Sequence, residues 1–279
     1  MASSFFVVPQ WQGSGSSRAM HLAHGAEAIG GDLPPSMTVV VPVPLGAGSD
    51  QGTGVRRLSS VETVRRELQQ ALASATGVPI VIGGDCGVEL GAIRHAAGRH
   101  RVAVVWFDAH ADLNSPGTSP SGAFHGMVLR TLLGEGPAEL LPDAPLNPRQ
   151  VILAGTRSVD EAEQDYIAER GIRTLPPAEL TPSSLAEALQ SSGADAVYLH
   201  IDLDVLDPSE FGALDFPEPF GVTVAALIEL VLEAKTTLPI IGAGITEFAP
   251  GSTEQAEEDL PTILRIIGAL TSASPTIDA

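Results

Sequence analysis

Two short acidic motifs in this sequence place ligand-type side chains close together. After the apolar run VAVVWF comes DAHADLN, in which Asp108, His110 and Asp112 are spaced two residues apart. Side chains two apart on an extended chain point to the same side, with Cα atoms roughly 6–7 Å apart. The segment VYLHIDLDVLDP repeats this spacing with Asp202 and Asp204. Each motif is therefore expected to project carboxylates from the end of an apolar strand.

Carboxylates gathered in this way need a counter-charge. Four of them at one sheet edge cannot all stay ionised without one, and neither motif contains a lysine or an arginine. A carboxylate-rich set with one imidazole suits Mn²⁺ or a similar hard divalent ion. A single D-x-H sequence is more typical of a solvated strand end, but the two motifs together favour a metal site.

The rest of the chain predicts the elements that hold these motifs. Short β-rich runs alternate with longer helical stretches, and strands such as VAVVWF and LPIIGAGI are apolar throughout. Strands of this kind belong to parallel sheets with helices on both faces. We expect a three-layer α/β/α fold with a mostly parallel central sheet, whose ligands bind beyond the carboxyl ends of the strands. No linker divides the sequence, so we expect a single domain over residues 1–279.

Individual elements follow from the same pattern. Ser59 with Glu62 fits a capping box, and Thr223 fits an N-cap. Loops are predicted at residues 141–150 and 175–180, and residues 271–279 are expected to fray. The predicted strands are Phe5–Val8, Thr38–Val43, Pro79–Ile82, Val102–Phe107, Gln150–Ala154, Ala196–Ile201 and Pro239–Ile245. The predicted helices are Ser60–Ser74, Val88–Ala97, Gly126–Leu133, Asp160–Arg170, Pro182–Gln190, Val224–Ala234 and Glu254–Leu270.

Composition excludes some partners. The net charge is -19, from 15 basic and 34 acidic residues, and Lys235 is the one lysine. A surface this acidic repels nucleic acid and anionic lipid and attracts small cations. No apolar run approaches the roughly 18–20 residues of a membrane span, and the N-terminus lacks the pattern of a signal peptide. The single cysteine cannot form an internal disulfide, which is compatible with the cytoplasmic location that we expect.

The motifs taken together resemble a known family. GGDC, DAHADLN, HIDLDVLDP and GITEFAP occur in the order and approximate spacing of the ureohydrolases, which include arginases, agmatinases and guanidino-acid hydrolases. The similarity runs from about Gly83 to Pro250. It implies a three-layer α/β/α hydrolase of linear amidines, with two Mn²⁺ ions. The reaction implied is hydrolysis of a guanidinium carbon, which releases urea and an amine.

The resemblance implies a role for each residue of the two acidic motifs. Asp108 and Asp202 resemble the carboxylates that bridge both metals. Asp112 resembles a ligand of the first metal, while His110 and Asp204 resemble ligands of the second. Asp112 could also hold the proton of the attacking water during catalysis.

The sixth ligand of the family is a histidine in GGDH, and Cys86 takes its place here. A lone cysteine is most often a buried packing residue, and no acyl-transfer motif accompanies it that would make it a nucleophile. Its position favours a metal ligand, and a thiolate would shift the preference toward Zn²⁺, Co²⁺ or Ni²⁺. The same replacement resembles the branch that hydrolyses Nω-hydroxyarginine, with which His200 is also compatible.

Two further residues match catalytic positions of the family. His125, in GAFHGM, lies where arginases carry a proton-shuttling histidine, and an imidazole is suited to protonating an amine leaving group. A hydroxyguanidine needs less help of this kind, so His125 favours an arginine-like substrate. Glu247, in GITEFAP, ends an apolar strand where an unpaired carboxylate is costly. In the family this acid holds the guanidinium; the alternative is an ion pair with an arginine such as Arg157.

Loop residues resemble those that bind the amino-acid head group in arginases. Asn114 and Ser121 match positions that contact the α-carboxylate, and Ser119 replaces a threonine there. Asp160 and Glu163 match acids that meet the α-amino group. Polar residues are also common in loops simply because they stabilise turns. The resemblance nevertheless favours a small cationic guanidino amino acid over agmatine.

Three classes of function are compatible with these motifs. The leading hypothesis is a binuclear-metal hydrolase of an arginine-like substrate, with Nω-hydroxyarginine hydrolase, agmatinase or guanidinobutyrase as variants. The second is a non-catalytic binding protein on the same fold, with a metal site that Cys86 weakens. The third is a single-zinc deacylase, although such sites lack the full DAHAD and DLD sets. The C-terminal segment that helps some arginases trimerise has no match here, so a homo-oligomer stays an open expectation.

Overall fold

Parallel strands form the centre of the molecule. The computed structural model describes residues 3–98 and 100–272, and these form a sheet in the order β2-β1-β3-β8-β7-β4-β5-β6. Every strand pairing in it is parallel. The strands are β1 Ser3–Val8, β2 Thr38–Val40, β3 Val78–Gly83, β4 Val102–Phe107, β5 Val151–Ala154, β6 Arg173–Leu175, β7 Ala196–Asp202 and β8 Ile240–Thr246.

Helices cover both faces of this sheet, so the predicted three-layer α/β/α fold is confirmed. In β1, Phe5 and Val7 pack into one apolar core, and Phe6 and Val8 pack into the other. Both faces of a strand are then dry, which is why these strands have continuous apolar sequences. The helices are α1 Met20–Gly31, α2 Leu58–Leu72, α3 Glu89–Ala97, α4 Val128–Leu132, α5 Glu161–Arg170, α6 Pro182–Ser191, α7 Val224–Thr237 and α8 Thr253–Thr271.

The two cores divide the helices between the faces of the sheet. Helices α1, α6, α7 and α8 contribute buried side chains to the first core, and α2, α3, α4 and α5 contribute to the second. None of the described helices is long and apolar enough to cross a membrane.

Two elements were not predicted, and α1 shows why. Its sequence, MHLAHGAEAIGG, contains three glycines, which disfavour helix. One of them is required by packing, because a Cβ at Gly25 would lie 1.9 Å from the carbonyl oxygen of Phe248. The other missed element is the short strand β6, which overlaps the start of the loop predicted at 175–180. The strand predicted at 38–43 ends at Val40.

The predicted helix caps had different outcomes. Thr223 is the N-cap of α7 and its side chain accepts a hydrogen bond from Ala226 N, as predicted. The Ser59 capping box is wrong, because α2 begins at Leu58 and Ser59 already lies in its first turn. The Ser59 hydroxyl instead accepts from the backbone N–H of Ser49. Most of the segment predicted to fray, from residue 273 onward, lies outside the described residues.

Candidate metal centre and active site

Four adjacent strands of the sheet, β3, β8, β7 and β4, end beside one another. Cys86 follows β3, Glu247 follows β8, Asp202 ends β7, and Asp108 follows β4. Because the strands are parallel, their carboxyl ends open on the same edge, where ligand sites of open α/β sheets form. The structure therefore brings the two acidic motifs and the cysteine turn together.

The acidic motifs are shaped by the same local hydrogen bond. His110 N donates to Asp108 Oδ1 at 2.6 Å, and Asp204 N donates to Asp202 Oδ1 at 2.8 Å. In each case an aspartate accepts from the N–H two residues on, as in an Asx turn. Ala109 N also donates to Asp204 Oδ1 at 2.9 Å. This last bond ties one motif to the other.

The turn that carries Cys86 is held by Asp85. This carboxylate is fully buried and accepts hydrogen bonds at 2.8 Å from Gly87 N, Gln10 Nε2 and Gly13 N. Burial raises the pKa of Asp85 to about 6. The sequence did not indicate this role of Asp85, because two of its three hydrogen-bond partners, Gln10 and Gly13, lie more than 70 residues away.

Two groups of ligand-type atoms lie close enough together to hold ions. Within each group the candidate ligand atoms are all within 4.8 Å of one another. His110 Nδ1 is 2.9 Å from Asp204 Oδ2, and Cys86 Sγ is 3.1 Å from Asp202 Oδ2. Both groups share Asp108, which suits a pair of neighbouring ions. The groups are Asp108, His110 and Asp204, and Cys86, Asp108, His200 and Asp202.

Burial and mutual repulsion dominate the electrostatics of the cluster. Burial first, and then neighbouring carboxylates, raise the pKa values of Asp112, Asp202 and Asp204. Asp108 behaves differently: burial alone would raise its pKa, but the neighbouring His110 and His200 outweigh burial and hold it below the usual range. Divalent cations would relieve the repulsion that the protein leaves uncompensated.

The side chains present fit such ions. Asp112 Oδ2 and Glu247 Oε2 are buried without a hydrogen-bond partner, which is costly unless a ligand completes them. Burial, and then Asp202, raise the pKa of Cys86 well above its ordinary value. Without an ion it is therefore a thiol that donates to Asp202 Oδ2, whereas a coordinating thiol loses its proton.

Asp112 and Glu247 share an unusual backbone conformation. Their φ angles are +52° and +65°, in the left-handed region that costs side-chain-bearing residues roughly 1–2 kcal/mol. At Asp112 the chain has left the extended conformation expected from DAHAD, and its carbonyl accepts from Leu129 N and Arg130 N. Glu247 N donates to Gly84 O at 2.8 Å. Backbone strain of this kind is typical of functional sites.

A cavity of about 360 Å³ opens over the cluster. His125 Nδ1 lies 3.6 Å from Glu247 Oε1 there. Burial lowers the pKa of His125, but the neighbouring Glu247 carboxylate outweighs it and raises that pKa. Phe216, which no motif indicated, places its ring 5.3 Å from His125. The predicted site residues lining the cavity are Cys86, His110, Asp112, Asn114, Ser119, Ser121, His125, Asp160, Glu163, Asp202, Asp204 and Glu247.

Arg157 is engaged elsewhere and is not the partner of Glu247 that the sequence left open. Its guanidinium donates to the backbone carbonyls of Asp204 at 2.8 Å, Glu218 at 2.7 Å and Pro219 at 2.9 Å. These bonds fasten the loop that follows β7. Among the described contacts, the cation nearest Glu247 is His125.

Asp160 and Glu163 already bond to each other. They form a capping box at the start of α5, with each side chain accepting from the other's backbone N–H. Glu163 Oε1 also accepts from Leu113 N at 3.0 Å, and Asn114 Nδ2 donates to Asp160 Oδ2 at 2.8 Å. These acids therefore have a structural role besides any contact with a substrate.

Ser119 and Ser121 lie at the exposed rim of the cavity. Their hydroxyl oxygens accept from Gly122 N at 3.0 Å and Ala123 N at 3.1 Å and lie 3.4 Å from each other. Each hydroxyl also has a proton to donate, so both can still bind a ligand.

Glu89 and His200 form a fully buried pair next to Asp108. His200 Nδ1 is 3.7 Å from Glu89 Oε1, and His200 Nε2 is 3.6 Å from Asp108 Oδ2. The imidazole stacks on Trp106, with centroids 3.7 Å apart. Burial lowers the pKa of His200, but Asp108 and Glu89 outweigh it and raise that pKa to about 9. The spacing of two residues from Asp202 was the available signal for His200; no sequence signal pointed to Glu89.

The parallel sheet and the carboxylate cluster at its edge define an α/β protein with a candidate metal centre. The chain belongs to the Arginase family, whose model matches residues 28–269. This confirms the resemblance to ureohydrolases that the motifs carry.

Known relatives agree with this membership. The arginase of Staphylococcus aureus (strain COL) is 34% identical over 171 residues, which cover 56% of this chain and 56% of that protein. The N(omega)-hydroxy-L-arginine amidinohydrolase of Streptomyces lavendulae is 32% identical over 216 residues, or 77% of this chain and 74% of that one. The solved structure of Entamoeba histolytica arginase in complex with L-ornithine has a TM-score of 0.86 at 26% identity, covering 97% of this chain and 98% of that chain.

Proposed function

We propose that this protein is a binuclear-metal hydrolase that cleaves the guanidinium C–N bond of an arginine-like guanidino amino acid to give urea and an amine. One observation carries the proposal: two candidate ion sites share Asp108 beneath a cavity that also contains the unpartnered Glu247 Oε2. Residues 1–279 would act as one domain. The proposed metal ligands are Cys86, Asp108, His110, Asp112, Asp202 and Asp204.

The donor atoms suit two divalent ions, and the two sites favour different ions. Carboxylates and one imidazole favour Mn²⁺, whereas the Cys86 thiolate shifts its own site toward Zn²⁺, Co²⁺ or Ni²⁺. When bound, such ions would activate water for attack near neutral pH.

The protein's own residues supply the remaining chemistry. Glu247 would hold the guanidinium, using the buried oxygen that has no partner. The water oxygen bonds to the guanidinium carbon, and Asp112 Oδ2 accepts the proton that the water gives up. The bond from this carbon to the substituted nitrogen then breaks. His125, whose raised pKa favours the imidazolium, gives that nitrogen a proton.

Five residues at the side of the cavity would select the head group. Asn114, Ser119 and Ser121 offer polar atoms for an α-carboxylate, while Asp160 and Glu163 offer anionic oxygens for an α-amino group. A carboxylate oxygen can accept more than one hydrogen bond, so the capping box does not prevent this second contact.

Nω-hydroxyarginine is the second candidate substrate. Cys86 stands in the position of a family histidine, and the Streptomyces lavendulae protein that is 32% identical acts on N(omega)-hydroxy-L-arginine by its name. The two candidates differ in product, because an arginine-like substrate gives urea and Nω-hydroxyarginine gives hydroxyurea.

A product assay tests the proposal. The protein, supplied with Mn²⁺ or Zn²⁺, is incubated with arginine, Nω-hydroxyarginine, agmatine and guanidinobutyrate, and urea and hydroxyurea are measured separately. We expect turnover of an amino-acid substrate. Turnover of agmatine alone would refute the proposed head-group contacts, and metal binding without turnover of any guanidine would favour a binding protein.

A pair of variants links that activity to the cluster. Asp202→Ala removes a carboxylate shared by the proposed ions and should abolish metal binding and turnover together. Asp165→Ala changes an exposed aspartate of α5 and should alter neither. An active Asp202→Ala protein would exclude the binuclear mechanism.

A further inference from the structure

His200 is a buried histidine whose two ring nitrogens make no close hydrogen bond. It is fully buried. Its ring nitrogens have no partner within hydrogen-bonding distance, and the carboxylate oxygens of Glu89 and Asp108 lie 3.7 and 3.6 Å away. An unpartnered polar group in a core is costly, so the imidazole is expected to meet a ligand. Its Nε2 lies within 4.8 Å of the ligand atoms of Cys86, Asp108 and Asp202.

We propose that His200 Nε2 is a direct ligand of the ion that Cys86, Asp108 and Asp202 would hold. The inference rests on the proposed metal cluster. Four ligands at roughly 2.0–2.3 Å around a tetrahedral ion are separated by roughly 3.3–3.8 Å. The 3.6 Å between His200 Nε2 and Asp108 Oδ2 lies in this range, and the 3.1 Å between Cys86 Sγ and Asp202 Oδ2 is slightly below it.

Glu89 completes the arrangement from the other side of the ring. A ligating histidine usually gives its second N–H to a carboxylate, which fixes the tautomer and the ring orientation. Glu89 Oε1 lies 3.7 Å from His200 Nδ1, and both Glu89 oxygens are buried without a partner. Gly244 provides the space, because a Cβ there would lie 1.6 Å from Glu89 Oε1.

The consequence is a site that adds one sulfur and one nitrogen ligand to the proposed carboxylate ligands. His200 would supply this ion, from β7, with the imidazole that Cys86 replaces. A ligand set containing thiolate and imidazole favours Zn²⁺ over Mn²⁺. The two ion sites would then differ in preference, with the harder ion beside His110.

Anomalous diffraction from the zinc-loaded full chain tests the proposal directly. We expect a zinc ion about 2.0–2.1 Å from His200 Nε2 and bonded to Cys86 Sγ. An ion bonded to Cys86 with His200 Nε2 more than about 3 Å away, far outside the bonding range, would overturn the proposal. In that case the imidazole would only orient Asp108.

Zinc titration against a competing chelator provides the second readout. His200→Gln should weaken one of two binding events by more than the roughly 10–100-fold typical of an outer-sphere residue, and Glu89→Gln should stay within that range. Ser60→Ala is the control, because Ser60 is also a buried polar residue but is outside both ligand groups. Equal losses in the Gln variants would contradict the proposal. If His200→Gln does not fold, the diffraction result decides.

The results of these experiments distinguish a failure of this ligand assignment from a failure of the proposed function. A wild-type protein that binds no ion would refute both. A protein with two ions and guanidine turnover, but with His200 remote from them, would leave the proposed function intact and refute only the ligand assignment.

Discussion

Cys86 most clearly separates this site from a cluster made of nitrogen and oxygen ligands alone. The thiol is buried beside Asp202 and Thr246. Serine is close to cysteine in volume, so Cys86→Ser removes the sulfur with little change in packing. We expect Cys86→Ser to weaken Zn²⁺ binding by roughly tenfold or more and Mn²⁺ binding by less, because the soft ligand is lost. Competition titrations with both ions measure this.

The control for this variant is Ser60→Ala, which changes a buried hydroxyl in α2. It should leave both dissociation constants unchanged. If Cys86→Ser also leaves the zinc and manganese constants unchanged, the cysteine is a packing residue.

His125 is the residue that we expect to matter most for the chemical step. His125→Asn should lower kcat by roughly 10²–10⁴-fold, while the metal content stays at the wild-type level. Steady-state kinetics and metal analysis test this, with the exposed His24→Asn as control. An unchanged kcat would remove His125 from the mechanism.

At the scale of elements, the ends of β4 and β7 could be predicted because each is an apolar run followed by spaced acids. Helix α1 could not, because glycines disfavour helix and the reason for Gly25, its close approach to the Phe248 carbonyl, is visible only in the folded structure. The Glu89–His200 pair could not be predicted from the sequence either, because its members lie 111 residues apart and meet only when α3 packs against the sheet.

The capping box of α5 allows two roles of Asp160 to be separated. Asp160→Ala should destabilise the protein by about 1 kcal/mol through loss of the cap, whereas Asp160→Asn keeps a good cap. If Asp160 also contacts the α-amino group, Asp160→Asn should raise the KM for arginine by roughly tenfold. Guanidinobutyrate lacks that amino group, so its KM should not change. Thermal unfolding and kinetics give both readouts, and an unchanged arginine KM would leave only the cap.

At the scale of the whole molecule, bound ions should stabilise the fold more as pH rises. In the ion-free protein, burial raises the pKa values of Asp112, Asp202 and Asp204. Stability from such groups is fully present below the ordinary carboxyl pKa and is lost as pH rises through the raised folded values. Ions need the ionised carboxylates, so the Tm difference between Mn²⁺-saturated and chelated protein should grow from pH 5 to pH 8.

A matched variant makes this measurement specific. Asp202→Asn keeps the size of the side chain but cannot ionise, so its Tm should respond little to Mn²⁺ at either pH. A wild-type difference that is equal at pH 5 and pH 8 would contradict the linkage of ion binding to the buried carboxylates.

The left-handed backbone at Asp112 and Glu247 has a consequence for selection experiments. Glycine or asparagine would relax the backbone at both positions, but either would remove the carboxylate. In a library that varies residues 112 and 247, selection for thermal stability alone should therefore enrich glycine and asparagine. Selection for turnover should restore the acids, so that fitness under the two regimes is anticorrelated at these two sites.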